Sequence, residues 1–236
     1  MSTFTVYTIA WNEIFLLPHF FKHYDFADKI VVYDNGSDDG SQEFVQSQPK
    51  GELRHYNTSN EQDNVTMRNL KDQCWKDATT DWVIVCDMDE FMAGHEKLEP
   101  YVGQLCAFRC KGWEMVSEEV PEDFNSTVIM KIDAQSKYYS KTLCFNPKLT
   151  EIRYSIGCHY CRPIPYNKIE GITELKHYVS LSEDYLVKRW LRYKPRMSEN
   201  DLKNRWSYFY LKSEQEIREE YRRRLCLAKR NLSSSS

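Results

Sequence analysis

The stretch Trp82-Val-Ile-Val-Cys-Asp-Met-Asp-Glu-Phe91 decides how this chain folds. It opens on a continuous apolar run, the pattern of a short strand buried on both faces of a sheet. Three acids then fall within four positions: Asp87, Asp89 and Glu90. Side chains alternate along a strand, so extended backbone here sends Asp87 and Asp89 to one side and Met88 to the other. Two carboxylates at the end of a buried strand repel each other and are costly to dehydrate. A divalent cation that also holds an anionic ligand removes both costs. Two acids that merely cap the next loop look the same, so the surrounding chain has to separate the two readings.

Upstream, strand and helix patterns alternate. Residues 3–10 are β-rich and predict a first buried strand, followed by Trp11-Asn12-Glu13. Residues 14–24 carry Leu16, Leu17, Phe20 and Phe21 at helical spacing, with Pro18 in the first turn, where a helix tolerates it. A second strand over 29–33 runs into the turn cluster Asp34-Asn-Gly-Ser-Asp-Asp-Gly-Ser41. A helix over 41–48, a strand over 52–56 and a helix over 64–75 complete the approach to Trp82. This is the spacing of βαβ units, so the prediction is an α/β fold around a mainly parallel sheet flanked by helices. Ligands of such sheets bind at the carboxyl ends of the strands. The polar clusters at Asn12, Asp34 and Asp87 all lie at that edge.

Downstream the pattern loosens. It predicts a helix over 98–109, strands over 113–116, 126–132, 142–145, 153–158 and 175–179, and a helix over 182–191. A charged amphipathic helix spans 214–229 and a serine tail ends the chain at 233–236. The chain reads as one domain over 1–232. Residues 1–92 form its ligand half, 93–190 a smaller irregular half for a second substrate, and 191–232 a C-terminal helical region. The tail also suits the start of a linker to further domains.

Composition narrows the class. A chain of 236 residues with 41% hydrophobic and 14% aromatic residues can bury a sizeable core. A net charge of −3 argues against a general nucleic-acid binder. The 8 cysteines sit mostly in apolar runs, no apolar stretch reaches transmembrane length, and the start lacks a basic-then-apolar leader. Those features predict a reducing, cytoplasmic setting. Cys158-His-Tyr-Cys161 is half a zinc site, but no second pair follows at finger spacing, so His159 is read towards the second substrate.

The ordered series Trp11-Asn-Glu13, Leu17-Pro-x-Phe-x-x-x-Tyr24, Val32-Tyr-Asp-Asn-Gly-Ser-x-Asp39, Met67-Arg-Asn69 and Asp87-x-Asp-Glu-Phe91 resembles the GT-A glycosyltransferases of the family 2 type. It is similar in particular to their Asn-Glu … Asp-x-Asp-Glu-Phe branch. A thinner match continues through Lys141, Gly157-Cys-His159 and His177-Tyr-x-x-x-Ser182-x-x-x-x-x-Lys188. Within the branch the chain looks most like chlorovirus domains that build capsid glycans. The resemblance implies a GT-A (Rossmann-like) fold and a UDP-sugar donor. It also implies a glycan or glycoprotein acceptor and a divalent metal, usually Mn²⁺, with Mg²⁺ as the other option. It implies a hexosyl group, rhamnose among the choices, and a host-cytoplasm setting for a viral chain. By position, Ala10, Asn12 and Glu13 would line the uridine pocket, Asp34 would contact uracil or ribose, and Arg68 would face the nucleotide. Asp87 would hold ribose or metal-bound water, and Asp89 would ligate the metal. Asn35 stands where the family often has a second Asp, and Met67 where it has Ala.

Sugar transfer from a nucleoside diphosphate needs a neutralised leaving group, a base for the acceptor hydroxyl if the reaction inverts, and positioning of the sugar. His177, after a strand, suits a third metal ligand or a donor to the diphosphate. Lys188 and Arg189 suit the diphosphate, although a solvated helix face explains them equally. For the base, Glu114 beside Trp113 is attractive because an indole stacks on a sugar and raises the acid's pKa. Glu122, Asp123 and Asp133 are equivalent on sequence grounds. Two competing classes are a metal-dependent nucleotidyltransferase or phosphoesterase and a non-catalytic nucleotide-sugar or glycan-binding module. The first lacks a Gly-rich phosphate loop here.

Overall fold

The computed structural model describes residues 1–126, 128–133 and 139–234. Strands β1 (Phe4–Ala10), β2 (Lys29–Asp34), β3 (Gly51–His55) and β4 (Trp82–Val85) are separated by helices α1 (Leu17–His23), α2 (Ser41–Ser47) and α3 (Asn64–Gln73). They pair in the order β3-β2-β1-β4, every ladder parallel. The Rossmann-like α/β architecture read from the sequence is therefore present. Alternate residues of the strands feed two cores. Val6, Ile30, Val32 and Ile84 pack with Leu17, Phe20 and Val45 of the helices on one face. Tyr7, Val31, Val83 and Val85 pack with Cys74 and Trp75 on the other. Each such buried apolar side chain contributes roughly 1.5–3 kcal/mol, which is why the run 82–85 can sit at the centre of the sheet.

The second half adds β5 (Glu90–Ala93), β6 (Ala107–Val116), β7 (Met130–Asp133), β8 (Thr142–Phe145) and β11 (Lys168–Ser180) to the same sheet. The order continues β4-β8-β6-β11-β5, with β7 on β6. Here β6 and β11 are parallel and the other ladders antiparallel. A separate hairpin pairs β9 (Glu151–Tyr154) with β10 (Cys161–Ile164). Helices α4 (Glu183–Tyr193), α5 (Glu199–Asn204) and α6 (Glu214–Ser234) close the chain. No helix among the described residues is long and apolar enough to cross a membrane.

The helix expected over 98–109 is not there. A 3-10 turn covers His95–Tyr101 and contains Pro100, and Gly103 turns the chain at φ 76°. From Ala107 the backbone joins β8 on one side and β11 on the other. Pairing on both edges outweighs local helical spacing. Strand β5 was hidden for a different reason: it is short and begins with an acid. The Tyr24 hydroxyl braces it, donating to the Glu90 carbonyl at 2.9 Å and accepting from the Met92 amide at 2.8 Å. Of the strand expected over 126–132, Thr127 lies outside the described residues, as do the Asp133 side chain and the last two serines of the tail.

Candidate functional site

The acidic stretch is a turn, not a continued strand. β4 ends at Val85, and the Glu90 amide donates back to the Asp87 carbonyl at 3.0 Å. The Asp87 amide in turn donates to Glu90 Oε2 at 2.9 Å. The strand alternation expected of Asp87 and Asp89 therefore gives way, and their carboxylates enter two different ion-pair clusters at the carboxyl end of β4.

Asp87 belongs to the first cluster. Lys71 Nζ, from α3, is 2.5 Å from its Oδ1, and Lys141 Nζ, just before β8, is 3.3 Å from its Oδ2. Lys141 also pairs with Glu90. Burial is the largest influence on Asp87 and pushes its pKa up, but the two ammonium groups outweigh it and hold the carboxyl well below the usual range. The same contacts overcome burial for Lys71 and Lys141 and raise both. Both lysines are buried, whereas the Asp87 side chain keeps 31% of its surface open. Asp87 is thus the accessible member of a charge-balanced group.

Asp89 belongs to the second. Its Oδ2 lies 3.2 Å from Arg189 Nη2 and its Oδ1 lies 3.6 Å from His177 Nε2. The Tyr178 amide donates to the Asp89 carbonyl at 2.8 Å, fixing the turn against β11. Arg189 Nη1 donates to Glu13 Oε2 at 2.7 Å. Glu13 also accepts from the Tyr193 hydroxyl at 2.8 Å and from Arg192 at 3.3 Å. Arg192 reaches the Asn12 carbonyl as well. The Arg196 guanidinium stacks 3.5 Å from the Trp11 ring and donates to the Asn60 carbonyl at 2.8 Å. Helix α4 and the 3-10 turn that continues it, Lys194–Arg196, make this possible: Arg189, Arg192 and Tyr193 recur at a spacing of three or four residues and share one face of the helix, and the turn brings Arg196 beside them. Ser182 caps the helix, accepting from the Tyr185 amide at 3.1 Å.

The loops after β1 and β2 are locked together. Asn12, at φ 54°, donates from Nδ2 to Asp38 Oδ1 at 2.8 Å, and its Oδ1 accepts from the Asp38 amide at 2.9 Å. Asp34 is 1% exposed. Its Oδ1 accepts from the amides of Gly36 and Ser37, each at 2.9 Å, and from Gln42 at 2.8 Å. Asp34 therefore spends its carboxylate on building the turn, which departs from the open base or ribose contact expected of it. Ala10 is buried opposite Asp34 in the ladder and takes part through its carbonyl, which accepts from the Asn35 amide at 3.0 Å. Arg68 lies one turn before Lys71 on α3, and its buried Nε has no hydrogen-bond partner among the described residues.

Four expected residues fall elsewhere. Glu114 is adjacent to His177 in the β6–β11 ladder, but its Oε1 takes Arg224 of α6 at 2.5 Å and Ser180 at 2.8 Å. A carboxylate held in a buried ion pair is a poor base, so Glu114 anchors α6. Asp123 is on the surface, accepts from the Asn125 amide at 3.0 Å and faces Lys22 at 3.8 Å. Glu122 is exposed beside it. Lys188 is exposed on the outer side of α4, and the inward position is Arg189. The residues that sequence reading passed over are Lys71, Arg192 and Arg196. The repeat of α4 carried the signal for Arg192, and Arg196 follows in the 3-10 turn after it. Nothing local marks Lys71 as buried.

The metal implied by the resemblance can be weighed against these donors. Among the described residues no three His, Cys, Asp or Glu side chains converge to hold an ion. Asp87 has both oxygens facing ammonium groups. Asp89 Oδ1 and His177 Nε2, 3.6 Å apart, fit as two neighbouring donors, since neighbours on one octahedral ion lie about 3 Å apart. His177 Nδ1 is buried with no hydrogen-bond partner among the described residues. Two donors are fewer than an ion needs, so phosphate oxygens and water would have to supply the rest.

No family model matches the chain, and no curated protein matches it. Among solved structures it is similar to HddC from Yersinia pseudotuberculosis, at 12% identity and TM-score 0.30, over 63% of this chain and 78% of that one. It is also similar to a putative glucose-1-phosphate thymidylyltransferase from Bacillus anthracis, at 10% identity and TM-score 0.31, over 62% and 72%.

Proposed function

We propose that this chain is a glycosyltransferase that moves a hexosyl group from a UDP-sugar to a glycan hydroxyl, with inversion. The observation behind this reading is the convergence at one sheet edge of Glu13 after β1, the Asp34 turn after β2 and the Asp87–Asp89 turn after β4. Glu13, Asp87 and Asp89 pair there with cations: Arg189 and Arg192 from α4, and Lys71 from α3, one turn after Arg68.

A nucleoside diphosphate needs this combination. Planar guanidinium groups suit phosphate oxygens, and Arg68 has a buried donor to spare. Carboxylates in rigid loops suit ribose hydroxyls, and Asp87 is the most open of them. Mn²⁺ or Mg²⁺, when bound, supplies Lewis-acid stabilisation of the departing diphosphate, and Asp89 with His177 would hold it. Inversion needs a base for the acceptor hydroxyl. With Glu114 committed to Arg224, Glu122 and Asp123 are candidate carboxylates in solvent among the described residues, and we take Asp123 as the base. Its neighbour Phe124 anchors that loop against Phe91 and Tyr178, the residues that follow Glu90 and His177.

The test is product identity. The protein, Mn²⁺ and a panel of sugar nucleotides are incubated with and without glycan acceptors. Release of UDP supports sugar transfer. Release of pyrophosphate from a nucleoside triphosphate and sugar phosphate would identify a nucleotidyltransferase instead. Nucleotide binding with no turnover of any donor would identify a binding module.

A further inference from the structure

The Asp89 carboxylate is divided between two partners. One oxygen faces His177 at 3.6 Å and the other faces Arg189 at 3.2 Å. The Arg189 guanidinium spans two acids, with Nη2 on Asp89 and Nη1 on Glu13 at 2.7 Å. The two acids depend on it unequally. Glu13 keeps Arg192 and the Tyr193 hydroxyl if Arg189 turns away. Asp89 keeps only His177 among the described contacts. The two acids and Arg189 are buried or nearly so, with side chains 3% exposed for Glu13, 9% for Asp89 and 10% for Arg189. A carboxylate so placed is costly to leave without a positive charge beside it.

We propose that Arg189 is an internal substitute for the divalent cation. It neutralises Asp89 in the free protein and keeps that carboxylate from binding a divalent ion unaided. When nucleotide binds it leaves Asp89, stays on Glu13 and turns its freed nitrogen to the donor's diphosphate, which opens Asp89 to the ion. This rests on the nucleotide-sugar reading above. It adds an order of events: ion binding follows nucleotide binding, because only then is Arg189 given another anion. By linkage, the ion strengthens nucleotide binding by the same factor.

The experiment follows free Mn²⁺ by its electron paramagnetic resonance signal during titration, and UDP binding by calorimetry. It uses the wild-type chain, Arg189→Met and Arg189→Lys. The wild type is expected to bind Mn²⁺ at least about tenfold more tightly with UDP than without it. Arg189→Met should bind Mn²⁺ about tenfold more tightly than wild type in the absence of nucleotide, and UDP more weakly. Arg189→Lys keeps a cation beside Asp89 and should exclude free Mn²⁺ as the wild type does. Equal Mn²⁺ affinity with and without UDP in the wild type overturns the proposal, as does unchanged Mn²⁺ affinity in Arg189→Met. If Arg189→Met does not fold, the wild-type coupling and Arg189→Lys decide: a lysine variant that binds free Mn²⁺ tightly, or an uncoupled wild type, overturns it. Failure of the underlying reading looks different, since no variant would then bind UDP at all, with or without Mn²⁺.

Discussion

Lys71 Nζ sits 2.5 Å from Asp87 Oδ1, so a helix and the turn that follows β4 share a buried charge pair at the edge of the sheet. The lysine side chain is 4% exposed. Breaking such a pair from one side leaves a buried charge without its partner and costs about 3–5 kcal/mol. Lys141 still faces Asp87, which places Lys71→Met near the lower end. Urea unfolding of Lys71→Met is expected to show a loss of about 3 kcal/mol, and Lys71→Met/Asp87→Leu a smaller loss than the sum of the two single changes. Additive losses would mean the two groups do not share a pair.

His23 gives a pH dependence away from the site. Its Nε2 is 2.8 Å from the Met92 carbonyl. Burial lowers its pKa to about 4. The folded state therefore prefers neutral His23, and that preference is fully felt above the unfolded value of about 6.5. It is lost as pH falls from there through about 4. Wild-type stability should drop across that window by on the order of 2 kcal/mol more than that of His23→Phe. Parallel curves for the two proteins would show that His23 titrates normally.

The structure separates Glu114 from Asp123. Glu114→Gln unpairs Arg224 and is expected to destabilise the protein by about 3 kcal/mol while changing sugar transfer by less than about threefold. Asp123→Asn, on the surface, should leave stability within about 0.5 kcal/mol and lower kcat by roughly a hundredfold or more. The reverse pattern would return the base to Glu114.

The strands β1 to β4, their parallel order and the edge at which the polar clusters meet were legible because buried apolar runs and turn clusters are local signals. Arg189 was legible as a candidate, and so was Lys188, because the motif marks the segment and not the face. The period of α4, through Arg192 and Tyr193, selects the inner residue. The pairing of Glu114 with Arg224 was not legible. It joins residues 110 apart, and neither sequence neighbourhood announces the other. The same holds for β6, whose helical spacing at 98–109 was overridden by strands on both sides.

That distinction on α4 has its own check. Lys188→Ala should retain UDP binding within about twofold of wild type, because its side chain is exposed and away from Glu13 and Asp89. A loss of more than about tenfold would put Lys188 in the ligand's path.

The most direct measurement is a calorimetric titration of UDP into the protein with Mn²⁺ present, repeated on Asp89→Ala after circular dichroism confirms its fold. The account expects saturable binding by the wild type and a loss of at least about thirtyfold in Asp89→Ala, the effect of removing one charge-assisted contact of about 2 kcal/mol. A wild type that takes up no UDP, or an Asp89→Ala that binds it equally well, would contradict the account.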